Sequence, residues 1–248
     1  MLHIFEGTAG ADARYITITG QEVNHIKNVL RMKPGEEICV SNGADGREYR
    51  YAIEEITDAQ VRCSLRFFKE AGAELPVRVI LFQGLPKSDK MDLIVQKAVE
   101  LGAAEIYPVE MERCVVRLDG AKKKKRAQRW QTIAESAAQQ SRRGILPLVH
   151  EPVTMAEAVK IAREAAQVRL IPYELQEDDG STRGILEKME AGQTAAVFIG
   201  PEGGFAPGEV ELAKENGIRP ISLGRRILRT ETAAMVVLSW LIYRFEIT

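Results

Sequence analysis

Two stretches of the chain concentrate residue types that can do chemistry. The first is 199–205, IGPEGGF, with three glycines and a proline around one glutamate. Glycines let a backbone approach a ligand closely and adopt positive φ. Free N–H groups at a following helix start can hold an acceptor. The second is 222–233, SLGRRILRTETA, which brings together Gly224, Arg225, Arg226, Arg229, Thr230, Glu231 and Thr232. Guanidinium forks beside a glycine turn suit a phosphate or carboxylate. Thr230 or Thr232 equally fits a helix cap, and Arg225 and Arg226 alone fit a solvated face. There is no G-x-x-x-x-G-K-[ST] and no G-x-G-x-x-G. A nucleoside triphosphate or a dinucleotide is therefore a poor guess for the ligand.

Two further groups are basic. Residues 122–143 begin as a charge run, KKKKR, which by itself describes a solvated face. Trp130, Ile133, Ala134 and Ala137 then recur at helical spacing, which is a core stripe. The stretch ends in Gln139, Gln140, Ser141, Arg142 and Arg143, so cations stand at both ends, which fits phosphate contact and a solvated face equally. Nearer the start, His25, Lys27, Asn28, Arg31 and Lys33 lie close together. His25 and Asn28 are three apart, as are Asn28 and Arg31, which puts them on one side of an α-helix. A solvated helix explains any one of them.

These groups need elements to position them. The first seventy residues read as β: short alternating or β-branched runs at 15–18, 37–40, 49–56 and 60–67, separated by turn signals at 33–35, 41–43 and 44–46. One helix, 21–30, fits between them, and the pattern suggests a small barrel. Residues 70–76, EAGAELP, read as a linker. Beyond it, apolar runs at 77–82, 105–109, 168–172, 195–199 and 218–223 alternate with helical patterns at 89–101, 122–141, 155–166, 208–216 and 231–245. Such alternation means an α/β domain with a mostly parallel sheet. Both chemical loops follow a strand and precede a helix. Ligands of open α/β sheets bind there, beyond the carboxyl ends of strands. The expected domains are 1–70 and 76–248.

Composition sets outer limits. With 248 residues, 45% hydrophobic, 28% charged and a net charge of -1, the chain is neither disordered nor a general coat for nucleic acid. The three cysteines, Cys39, Cys63 and Cys114, form no C-x-x-C pair, and there are only three histidines. No disulfide framework and no zinc site is expected. The start has no signal-peptide pattern. The most apolar run, 233–243, falls short of the ~20 residues of a membrane span. A cytoplasmic protein is expected.

Taken together, these residues resemble the ribosomal small subunit methyltransferase E family, within the knotted SPOUT superfamily. The resemblance is carried by 25–38 (HIKNVLRMKPGEEI), 87–117, the helix ending in QQSRR, IGPEGGF, and 223–233 (LGRRILRTETA), and it covers nearly the whole chain. It implies an N-terminal PUA-like β-barrel for RNA and a C-terminal SPOUT α/β domain with a deep trefoil knot. It implies methylation of N3 of a specific uridine in 16S ribosomal RNA from S-adenosyl-L-methionine, within the small ribosomal subunit and by a homodimer. Three cofactor loops are carried over. One gives Leu170, Pro172, Tyr173 and Glu174. The next gives Ile199, Gly200, Pro201, Glu202, Gly203 and Gly204. The last gives Leu223, Gly224, Ile227, Leu228 and Arg229, closed by Thr230 and Ala233. Arg229 and Glu202 are expected at the chemistry, with Glu231 as an alternative base. His25, Lys27, Arg31, Arg142 and Arg143 are expected at RNA. Relatives often carry an arginine near the start, where this chain has His3. Two alternatives stay open: the same fold with a ribose 2′-O or guanine product, and a non-catalytic RNA-binding assembly factor.

Overall fold

The computed structural model describes residues 1–70, 72–173 and 181–247. It divides into two compact units, Met1–Glu74 with Ala138–Leu146, and Leu75–Ala137 with Pro147–Thr248.

The first unit is a five-stranded mixed sheet. Its elements are β1 (His3–Phe5), β2 (Tyr15–Thr19), α1 (Gln21–Asn24), β3 (Glu37–Ser41), β4 (Arg47–Ile56) and β5 (Gln60–Glu70), in the strand order β1-β3-β4-β5-β2. The pair β1–β3 is parallel and the others are antiparallel. Alternation in β2 sends Ile16 and Ile18 into a core with Ile4, Ile26, Ile38, Tyr51 and Ile53. Buried phenols need acceptors. Tyr51 donates to the Ala13 carbonyl at 2.8 Å and Tyr49 to Asp45 at 2.5 Å. The helix expected over 21–30 is α-helical only to Asn24 and continues as a π turn over His25–Val29. The wider turn changes which side chains align, so the expected row of His25, Asn28 and Arg31 does not form. Asn28 instead bonds Asn24 at 2.7 Å, and Arg31 leaves the helix at φ 55°.

Residues 138–146, expected in the second domain, group with the first unit. The cause is Glu74. Its carboxylate accepts from the Arg143 guanidinium at 2.6 Å and from the backbone N–H groups of Gly144 and Ile145 at 3.1 Å.

The second unit is a six-stranded parallel path, β12-β10-β11-β6-β7-β8, with β9 also paired to β7. Its strands are β6 (Arg78–Gly84), β7 (Ala103–Glu110), β8 (Leu148–Val149), β9 (Val153–Thr154), β10 (Val168–Pro172), β11 (Thr194–Ile199) and β12 (Arg219–Ile221). Its helices are α2 (Lys90–Glu100), α3 (Gly120–Gln140), α4 (Met155–Ala165), α5 (Ser181–Glu187), α6 (Pro207–Glu215) and α7 (Thr230–Ile242). The central strand β11 is buried on both faces, as its unbroken apolar run requires. A row of stacked rings crosses the sheet: Phe198 on Phe82 at 4.5 Å, Phe82 on Tyr107 at 5.1 Å, Tyr107 on His150 at 3.7 Å. Burial of each phenylalanine contributes roughly 1.5–3 kcal/mol. Thr154 and Glu157 close a capping box on α4. Pro207 opens α6, and Gly102, at φ 90°, turns the chain after α2. The two-residue strands β8 and β9 and the short β1 carry too few residues to show a period.

The three cysteines are free and buried, and desolvation pushes the Cys39 and Cys63 thiols up to about 12. Among the described residues no helix is long and apolar enough to cross a membrane, and no metal-binding cluster is present.

Candidate active site

The carboxyl ends of β10, β11 and β12 open onto one cavity of about 380 Å³. That volume suits a small-molecule ligand. Three loops and the start of α7 wall it.

The loop after β11 holds itself in shape. Gly204 donates to the Pro201 carbonyl at 2.9 Å and takes φ 67°, a left-handed conformation that favours glycine. A Cβ on Gly84, the last residue of β6, would meet Pro201 at 2.7 Å, so the loop lies directly on that strand. Glu209 secures the far end of the loop. It accepts from the Ala206 N–H at 2.9 Å and from the Glu112 N–H at 2.8 Å.

α7 is latched to this loop by Thr230. Its hydroxyl donates to the Gly200 carbonyl at 2.6 Å and accepts from Gln83 Nε2 at 2.8 Å. The residue is buried, so both bonds form away from water. Arg229 is the N-cap of α7. It is exposed, lines the cavity and pairs with no carboxylate among the described residues.

Glu202 reaches across the cavity mouth. Its Oε1 stands 3.0 Å from Lys90 Nζ, and its carboxylate accepts from the Lys87 N–H at 3.1 Å. Burial alone would raise this carboxyl. Backbone N–H donors and the Lys90 ammonium outweigh that and hold it below the usual carboxylate range. Lys90 is raised in turn, chiefly by its bond to Glu202. Glu231 Oε2 stands 3.5 Å from the same ammonium and has no hydrogen-bond partner among the described residues.

Most of the expected cofactor positions meet at this cavity. Pro172 and Tyr173 line it from β10, and 199–202 with Gly204 from β11. The third loop contributes Leu223 and Gly224, then the run from Ile227 to Thr230, with Ala233 below. Two expected residues are elsewhere. Leu170 is fully buried inside the sheet and does not reach the wall. Gly203 faces Arg113: a Cβ there would meet Arg113 Cβ at 3.1 Å, and Arg113 Nη1 donates to the Gly203 carbonyl at 2.9 Å. Its glycine identity answers to packing on that arginine. Glu174 lies outside the described residues.

Sequence reasoning missed Lys90, which lines the cavity from the start of α2, and Ser222; Phe205 and Arg226 lie within the expected loops 200–205 and 223–229. For Lys90 there is no local signal. The turn it follows meets Glu202 115 residues away in sequence.

The basic residues of the first unit are mostly engaged. Arg143 is 2% exposed and bound to Glu74, so the expectation that it faces RNA is corrected: it is an internal tie. Lys27 is ion-paired with Asp58, and His25 Nδ1 stands 3.5 Å from Glu22 Oε2. Arg31 and Arg142 are exposed, both with positive φ. His3 bonds Ser41 Oγ at 3.0 Å and the Gln139 carbonyl at 3.3 Å. Burial lowers its basicity.

A parallel α/β unit with a loop-walled cavity at its strand ends, joined to a small β unit, matches two family models. Residues 73–242 match the RNA methyltransferase domain and 18–65 the RNA methyltransferase PUA domain. The class is thus an RNA methyltransferase fold with a PUA domain. Relatives narrow it. The chain is 36% identical over 241 residues to Ribosomal RNA small subunit methyltransferase E of Bacillus subtilis, covering 95% of this chain and 93% of that one. It is 33% identical to the protein of the same name from Mycobacterium tuberculosis, covering 89% and 83%. A crystal structure of Ribosomal RNA small subunit methyltransferase E from Neisseria gonorrhoeae bound to S-adenosyl methionine superposes with a TM-score of 0.85 at 28% identity, covering 99% and 98%. The chain belongs to the ribosomal RNA small subunit methyltransferase E family.

Proposed function

We propose that this protein transfers the methyl group of S-adenosyl-L-methionine to N3 of one uridine in 16S ribosomal RNA. The observation that carries the reading is the latched three-loop cavity with the exposed Arg229 at its rim.

The residues present fit that cofactor. The cavity has the volume for it, the side chains of Ile199, Leu223, Ile227 and Leu228 offer an apolar wall for an adenine, and the loop backbones offer polar groups. When bound, it supplies a methyl group already activated on a sulfonium. The chain must then place the target base and favour its loss of a proton. N3 lies on the Watson–Crick edge, so the base must be unpaired or flipped out. Arg229 stabilises negative charge on the uracil oxygens as the proton leaves. Holding base and cofactor in line contributes about 7–11 kcal/mol.

In this reading the first unit, with the exposed Arg31 and Arg142, binds the RNA, and the second is the catalytic domain with the knot its family implies. The protein acts as a homodimer in the cytoplasm, on the small ribosomal subunit.

The test is methyl transfer from labelled S-adenosylmethionine to small subunits lacking the modification, with the product nucleoside identified. 3-Methyluridine at one position is the expected product. A ribose 2′-O-methyl or methylguanine product overturns the N3 assignment. Cofactor binding without transfer to any RNA points to an assembly factor.

A further inference from the structure

Three separate parts of the chain meet at one ammonium. Lys90 opens α2, Glu202 belongs to the loop after β11, and Glu231 sits in the first turn of α7. A lysine at a helix N-terminus opposes the helix dipole, so its placement needs compensating carboxylates. Here there are two, at 3.0 and 3.5 Å. Glu202 does a second task. By accepting the Lys87 N–H it holds the turn at 85–89, whose Ser88 adopts a left-handed φ of 56°.

We infer that Lys90 is a positioning residue of this site: its ammonium holds Glu202 as the anchor of the turn at 85–89, and Glu202 is not the proton acceptor. Glu202 carries one ion pair and at least one backbone hydrogen bond. A carboxylate so engaged is a weak base. Glu231 differs, since its Oε2 lacks a hydrogen bond among the described residues. The charged groups around Glu202 are Lys90 from α2, Glu231 from α7, Arg226 and Arg229 from the cavity wall, and Arg113, bonded to the neighbouring Gly203 carbonyl. Removal of the ammonium leaves Glu202 and Glu231 without the cation they share. The Glu202 carboxyl then takes up its proton at higher pH.

The inference rests on the methyl-transfer reading for its kinetic arm only. The direct arm is a carbon-13 NMR titration of the Glu202 carboxyl in the full chain. Wild type is expected to titrate below the ordinary carboxylate range, Lys90→Met to titrate higher, and Lys90→Arg to return to the wild-type position. A wild-type midpoint at or above the ordinary value overturns the inference without any variant. So does a midpoint that Lys90→Met leaves unmoved.

In the kinetic arm, the acid limb of kcat/KM is expected to move to higher pH in Lys90→Met, with a loss of about tenfold at the acid end. Lys90→Arg restores it, which loss of packing alone would not explain. Glu202→Gln is expected to raise KM for the cofactor while lowering kcat by less than about tenfold. A loss of about 10²–10⁴ in kcat at unchanged KM would make Glu202 the base and end the proposal. If wild type transfers no methyl while the Glu202 titration still responds to Lys90, the methyl-transfer reading fails and the hold of Lys90 on Glu202 stands.

Discussion

The cavity of the second unit and the basic surface of the first differ in what their polar groups are already doing. Around the cavity, internal bonds build the wall and leave Arg229, at its rim, without a carboxylate partner among the described residues. Thr230, Glu209 and Glu202 are spent on holding loops. In the first unit the internal bonds engage some of the cations themselves and leave Arg31 and Arg142 exposed. Arg143 is bound by Glu74, Lys27 by Asp58, and His25 lies beside Glu22. The lesson is that a cluster of functional residue types becomes a site only where other groups have taken over the structural work.

Arg143→Ala tests that contrast most severely. It would leave the Glu74 carboxylate without its cation, at an expected cost of about 3–5 kcal/mol in denaturant unfolding. Unchanged stability with weakened RNA binding would return Arg143 to the RNA surface and dissolve the contrast.

Arg229→Ala is the mirror experiment. Stability should stay within about 0.5 kcal/mol of wild type, because nothing internal is lost. Methyl transfer should fall roughly 10²–10³-fold. Loss of stability instead of activity would make Arg229 another internal tie.

Thr230→Val keeps the shape and removes both latch bonds, leaving the Gly200 carbonyl without that donor and Gln83 Nε2 with only its bond to the Gly84 carbonyl. A loss of about 1–3 kcal/mol is expected by thermal unfolding. Gly204→Val forces a β-branched residue to φ 67°. Strain of about 1–3 kcal/mol should appear as weaker cofactor binding in calorimetry. Unchanged affinity in the folded variant would remove that loop from the cofactor site.

The smallest effect is expected at Arg31. Arg31→Ala should lower the slope of RNA affinity against salt by about one, with cofactor affinity unchanged. An unchanged slope would leave Arg142 as the exposed RNA candidate of the first unit.

Much of this was readable beforehand, for reasons that differ by element. β10 spans 168–172 as its apolar run requires, and α6 opens at its proline. The glycine and arginine loops were legible because residue type, flanking strand and flanking helix all lie within a dozen residues. The helix at 21–30 is present over 21–29, but its change from α to π turn at His25 was not legible, because so short a stretch carries too few apolar residues to fix a period.

What the sequence determined by itself was therefore local: the β and α/β halves, and the two loops that follow a strand and precede a helix. Tertiary structure alone decided which charges are available. Glu74 claims Arg143 from 69 residues away, and Glu202 meets the α2 turn across 115. Pairing of a charge depends on which remote group the fold brings within about 4 Å, and no periodicity in the chain encodes that distance.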